Sequence, residues 1–155
     1  MAATGTIPPE IFAAHDGLTQ LRKIVAGELP QAPITAILDF RLCEVEHGRA
    51  VFRGMPKADF FNPRGTVHGG WASTLMDSAL GCAVHSTMDT GEGYTTVEFK
   101  VNLTRPITDQ TGEVVCEGFI VHRGRRVATS EATLKDSAGK LLAHGTETCL
   151  IFPPE

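Results

Sequence analysis

Asp77 is the one formally charged side chain between Arg64 and Asp89, and it sits inside a run of apolar and small residues, Gly69-Gly-Trp-Ala-Ser-Thr-Leu-Met-Asp-Ser-Ala-Leu-Gly-Cys-Ala-Val. Taking a carboxylate out of water costs several kcal/mol unless it is paired, hydrogen-bonded or protonated. A lone acid in such a run is either a structural residue held by an arginine or a backbone group, or a carboxyl with a perturbed pKa and a chemical task. The second reading is the stronger. At the start of the same run stands His68-Gly69-Gly70. The first N–H groups of a helix have no partner within it, glycine lets a ligand approach the backbone, and the helix dipole favours negative charge there. The chemistry on offer is a base at Asp77 and a seat for a developing oxyanion at the helix start. Nine residues from His68 to Asp77 correspond on a helix to about 900° of rotation and about 13 Å of rise, so the two point in opposite directions. A two-fold dimer with neighbouring helices would bring His68 of one subunit to Asp77 of the other.

The elements that carry these residues follow from hydrophobic spacing. Among the first 33 residues Pro8, Pro9, Pro30 and Pro33 act as breakers, and between them Glu10 to Gly27 places Ile11, Ala14, Leu18, Leu21, Ile24 and Val25 at three- and four-residue steps. That pattern predicts one amphipathic helix. Ile37 to Glu46 and Arg49 to Met55 read as a hairpin turning at His47-Gly48,. A loop from Asp59 to Val67 leads into a helix from Gly69 to about Thr87. Beyond Gly91 and Gly93, Val97, Phe99, Val101 and Leu103 alternate with Glu98, Lys100 and Asn102, the period of a half-buried strand,. Three more strands follow at Glu113 to His122, Arg126 to Asp136 and Lys140 to Phe152. Turns this short make neighbours antiparallel, because parallel strands need a crossover of a dozen residues or more. The class is α+β. The central helix shows apolar or small residues on every side and predicts burial all round. A curved antiparallel six-stranded sheet wrapped around that buried helix, the hotdog fold, is the simplest solution, with the N-terminal helix as an accessory. Residues 1–33 read as a helical extension and 34–155 as the hotdog domain.

Composition narrows the partners. A chain of 155 residues, 42% apolar and 21% charged, describes one ordinary core,. A net charge of -4 and a pI near 5.8 argue against a surface that tracks nucleic acid,. The longest nearly uncharged stretch, Thr66 to Met88, contains His68, Asp77 and His85 and fails as a membrane span,. The start, MAATGTIPPEIF, lacks the basic and apolar blocks of a secretory signal, so the expected location is the cytoplasm,. Cys43, Cys82, Cys116 and Cys149 form no close pair and read as reduced core residues,. His15, His47, His85, His122 and His144 have no ligand spacing, and no metal is expected,.

The block Asn62-Pro-Arg-Gly-Thr-Val-His-Gly-Gly, then Asp77, then Thr95-Thr96 opening a strand that ends at Arg105-Pro106, resembles the hotdog-fold acyl-CoA thioesterases of the phenylacetate-degradation (PaaI-like) type. The tail from Gly124-Arg-Arg-Val-Ala-Thr-Ser-Glu-Ala to Ala143-His-Gly-Thr is similar to that family too, and the likeness covers about residues 34 to 152. It implies hydrolysis of acyl-CoA, with Asp77 as general base or nucleophile and the Gly69 N–H polarising the thioester carbonyl. His68 and Asn62 would order the loop and thioester, and Thr96 would position the water or the carboxylate. The family's assembly implies a homodimer or homotetramer with shared sites. No separate cofactor is implied, since coenzyme A belongs to the substrate. The basic hairpin His122-Arg123-Gly124-Arg125-Arg126 lies in the family near the nucleotide end of coenzyme A, where guanidinium forks suit phosphate oxygens,. A solvated hairpin tip is the competing reading. Trp71, Met76, Phe60 and Phe61 are candidates for an acyl pocket or for plain core. A non-catalytic acyl-CoA-binding module and a hotdog dehydratase or hydratase are the alternatives, and the acyl group stays open among phenylacetyl, hydroxylated aryl and medium-chain fatty acyl.

Overall fold

The computed structural model describes residues 3–154. Six antiparallel strands, β1 (Phe40–Glu46), β2 (Arg49–Gly54), β3 (Gly93–Leu103), β4 (Val114–Arg123), β5 (Val127–Asp136) and β6 (Leu141–Phe152), form one sheet. Its order is β1-β2-β4-β5-β6-β3. Helix α4 (Gly69–His85) leaves β2 and crosses the concave face, so that β3 joins the far edge beside β6. Irregularities at Leu42/Glu44 in β1, Thr96/Glu98 in β3 and Ile120/His122 in β4 bend the strands and tighten the twist, which lets the sheet curl around the helix,. This is the hotdog arrangement.

The alternation read from the sequence becomes the inner wall. Phe52, Val114, Cys116, Ala132, Leu134 and Ala143 face Leu75, Met76, Ala79 and Leu80 of α4, and all are buried. Burying each large apolar side chain contributes about 1.5–3 kcal/mol. The helix also comes close to the backbone of the sheet. A Cβ on Gly118 of β4 would sit 2.4 Å from the Ala79 carbonyl oxygen, so only glycine permits this spacing,.

Three features differ from the sequence expectation. The helix expected over Glu10 to Gly27 is two, α1 (Pro9–Ala14) and α2 (Gly17–Val25). The Asp16 side chain accepts from the Thr19 N–H at 2.7 Å and starts α2 afresh,. Gly17 then passes under the end of α4, where a Cβ would lie 1.8 Å from the His85 carbonyl oxygen. Ile37 and Leu38, expected in the first strand, belong to a short helix α3 (Pro33–Leu38) with Pro at its start,. Asp39 at φ 49° ends it and delays the strand to Phe40. The third difference concerns α4, which is buried on the sheet side while Gly70, Ser73, Thr74, Asp77 and Ser78 form a stripe that is half or fully exposed in the single chain. The hydroxyls of Ser73, Thr74 and Ser78 donate to the carbonyls of Gly69, Gly70 and Thr74 one turn back, at 2.9, 2.8 and 2.9 Å. The stripe therefore looks small and apolar by composition yet faces outward.

Candidate active site

Asp77 lies on that open stripe, half-buried, at a cavity of about 260 Å³ lined by Leu21, Ile24, Leu42, Phe52, Tyr94 and Thr96 among others. Burial raises its carboxyl above the usual aspartate range, and a hydrogen bond with Glu147 partly offsets this,. Glu147 reaches in from β6 and is 1% exposed. Its Oε1 accepts from the Thr96 hydroxyl at 2.9 Å and from the Cys149 thiol at 2.9 Å. Burial, more than any neighbour, pushes its carboxyl up to about 7. Cys82 also lines the cavity, and burial holds its thiol up at about 12, so it stays protonated and is no nucleophile near neutral pH,.

Glu147 was absent from the sequence-derived candidates, although the sequence carries its signal. The inward frame of β6 reads Ala143, Gly145, Glu147, Cys149, Ile151, with one charged residue among small and apolar ones. A charge in the buried frame of a strand is the same anomaly that singled out Asp77 on the helix.

At the other end of α4, His68 is the N-cap, and its Nδ1 accepts from the Gly70 N–H at 2.9 Å. Its ring is exposed, and because it stands outside the helix its direction is set by this cap rather than by helical rotation. The Gly69 N–H meets no acceptor among the described residues. Gly69 shares a second cavity, of about 290 Å³, with Asn62, Ala72, Leu103 and Ile107. Asn62 braces the loop before it, donating from Nδ2 to Thr66 Oγ1 at 2.9 Å and accepting at Oδ1 from the Arg64 N–H at 2.8 Å.

The single chain therefore presents its candidate residues in two separate groups. Asp77 and Thr96 line one cavity, with Glu147 bonded to Thr96 behind it; Asn62 and Gly69 line the other, with His68 capping the helix beside them; and eight residues of helix, about 12 Å of rise, separate Gly69 from Asp77,. An oxyanion donor and a base that act on one carbonyl must each come within about 3 Å of the reacting atoms, so these two halves cannot serve one thioester within one chain.

The basic hairpin is divided. Arg123 pairs with Glu92 and donates to the Gly124 carbonyl, while Arg125 and Arg126 are exposed at the tip with no acidic partner among the described residues. Four residues of β5, about 13 Å, run from that tip to Ser130, the cross-strand neighbour of Glu147,. Of the candidate pocket residues, Trp71 stacks on Phe60 with ring centres 6.0 Å apart and donates from Nε1 to the Leu38 carbonyl at 2.7 Å. Met76 is core, Phe61 packs on it, and none of the four lines the Asp77 cavity. Among the described residues no group of three or more His, Cys, Asp or Glu could hold a metal ion, and no helix is long and apolar enough to cross a membrane.

The fold is a sheet curled around one helix, with an acid on the helix's open face and, among the described residues, an unpartnered N–H at its start. The chain belongs to the Thioesterase superfamily, whose family model matches residues 64–143. A protein of Saccharolobus solfataricus named as an inferred esterase is 32% identical over 108 residues, which is 70% of this chain and 75% of that protein. A thioesterase family protein from Silicibacter pomeroyi superposes with a TM-score of 0.75 at 27% identity, covering 85% of this chain and 98% of that one. A variant of the phenylacetic acid degradation protein PaaI from Thermus thermophilus superposes with a TM-score of 0.69 at 28% identity, covering 76% and 97%.

Proposed function

We propose that this chain hydrolyses acyl-CoA thioesters at sites completed by two subunits, in a homodimer or a dimer of dimers working in the cytoplasm without a separate cofactor. The observation that carries the reading is the division of the machinery between two cavities: a half-buried carboxylate at one end of α4 and an unpartnered N–H at the other. A two-fold axis beside the open stripe of α4 joins the halves. Four free cysteines fit a reducing compartment,.

The thioester carbonyl oxygen takes the Gly69 N–H of one subunit, and the dipole of that helix stabilises the charge that develops there. Asp77 of the other subunit accepts a proton from water as the water oxygen bonds to the carbonyl carbon. Collapse of the tetrahedral adduct breaks the C–S bond, the proton held by Asp77 passes to the departing sulfur, and the products are the free acid and coenzyme A. Direct attack by the Asp77 carboxylate, with water cleaving the resulting anhydride, uses the same groups. His68 and Asn62 keep the donor in place. An apolar acyl group fits the cavity beside Asp77, and a further cavity of about 490 Å³ shares Leu21, Ile24, Cys82, Tyr94 and Thr96 with it. In this reading the N-terminal extension (1–33) contributes Leu21, Ile24, Gln31 and Ala32 to the wall of the acyl pocket of the 34–155 domain, and Arg125 and Arg126 meet the phosphates.

Asp77→Asn keeps the shape and removes the base. Assayed by thiol release on a panel of acyl-CoA substrates, its kcat falls by ~10² or more while the assembly stays intact. Retention of more than half the wild-type rate overturns the mechanism.

A further inference from the structure

We propose that Glu147 is a positioning acid, a neutral carboxyl that donates a hydrogen bond to the Asp77 carboxylate and holds it toward the acyl cavity. This rests on the role given to Asp77 above, and it assigns a task to a residue that the sequence motifs leave out.

The geometry is specific. Glu147 enters from β6 beneath Gly81, one helical turn beyond Asp77, with Oε1 3.6 Å from where a Cβ on Gly81 would stand. Two donors, the Thr96 hydroxyl and the Cys149 thiol, converge on Oε1 and fix the plane of the carboxyl. Oε2 is buried with no donor facing it, which makes it the oxygen that carries the proton,. Asp77 stands one turn before Gly81 on α4, and the hydrogen bond the two carboxyls share lowers the Asp77 pKa and raises that of Glu147. Around the pair stand Asp77 and Cys82 from α4, Tyr94 and Thr96 from β3, Cys149 from β6, and Ser130 of β5, the cross-strand neighbour of Glu147. Gln31 and Thr35 close the cavity from the N-terminal elements. His85, two turns further along α4, is turned to Gln20. None of these groups is a cation that could hold two carboxylates side by side. Two such acids share one proton, and the deeper one keeps it. Glu147 is 1% exposed whereas Asp77 faces the open stripe, so Asp77 is the ionised member. Thr96 therefore acts on the base through Glu147.

The pair predicts a bell-shaped pH profile. Activity falls on the acid side as Asp77 takes a proton. It falls again as pH rises through about 7, where Glu147 ionises and its hydrogen bond to Asp77 turns into repulsion,. In Glu147→Gln the amide donates at every pH. The expected result is a kcat/KM within threefold of wild type at pH 6, with the alkaline limb gone. Glu147→Ala removes the donor, and its kcat falls about tenfold or more at pH 6 with KM little changed. An alkaline limb near 7 that persists in Glu147→Gln overturns the proposal. A second readout needs neither turnover nor a variant. Infrared difference spectra of wild-type protein carrying 13C-labelled glutamate must show a protonated-carboxyl band at pH 6 that titrates away near 7, and absence of that band also overturns it. Failure of the Asp77 reading is seen separately, as retained activity in Asp77→Asn, and leaves the infrared result to decide whether Glu147 holds the shared proton.

Discussion

Gly69→Pro removes one hydrogen-bond donor and little else. Gly69 is the first residue of α4, a position whose N–H has no acceptor inside the helix and where proline is favoured,. The preceding His68, at φ -60° and ψ 136°, already has the extended conformation that a following proline requires,. The added side chain meets Leu103, whose Cδ1 would lie 2.7 Å from a Cβ at position 69. That contact is with the end of a flexible chain, and Gly69→Ala makes the same contact while keeping the N–H. The ratio of the two variants therefore isolates the donor. Loss of one donor to a developing oxyanion costs roughly 10²–10³ in kcat, or about 3–4 kcal/mol. With acyl-CoA hydrolysis followed by thiol release, Gly69→Pro should fall that far below Gly69→Ala, with similar KM and similar melting temperature for both. A kcat for Gly69→Pro within threefold of Gly69→Ala refutes the oxyanion role.

Acid should loosen the N-terminal helices through His85. Burial holds its imidazole down at about 4, and its Nε2 lies 3.1 Å from Gln20 Oε1, while Gln20 donates to the His15 carbonyl at 2.8 Å. The unfolded chain binds this proton near 6.5 and the folded chain only near 4, so the contribution is complete above 6.5 and is lost as pH falls toward 4,. Urea melts should show a loss of roughly 2–3 kcal/mol between pH 7 and 4.5 in wild type relative to His85→Gln, and equal acid sensitivity in the two removes His85 as the cause. For the hairpin, Arg125→Ala with Arg126→Ala should raise KM for acyl-CoA several-fold, more at low salt, and leave kcat and the hydrolysis of a short pantetheine thioester unchanged. Arg123 is left in place because it pairs with Glu92, and an unchanged KM makes the tip a solvated turn.

The strands and α4 were legible because their periods are strong and the turns between them are short. The N-terminal region was not. Ile11 through Val25 keep helical spacing across a break that is made by the Asp16 cap and by the carbonyl of His85, sixty-eight residues beyond Gly17. Ile37 and Leu38 fit a strand or a helix equally, and the left-handed turn at Asp39 decides between them without a glycine to announce it. At the site, Asp77 stood out as a charge on an apolar helix, but Glu147 sits between Thr146 and Thr148 in a mixed polar stretch, and only the inward frame of β6 reveals it. The helical angle between His68 and Asp77 pointed to a second chain for an incomplete reason, because His68 caps the helix rather than belonging to it. The 12 Å of helix between Gly69 and Asp77 is the sounder argument.

A site shared between subunits is tested most directly by mixing two inactive proteins. In a dimer of one Asp77→Asn chain and one Gly69→Pro chain, one site holds both an intact Asp77 and an intact Gly69, and the other holds neither. Random exchange at equal amounts makes half the dimers mixed, so about one quarter of the wild-type activity should return. Activity no greater than that of the parents, in a sample where native mass spectrometry shows the mixed dimers, contradicts a site shared between subunits.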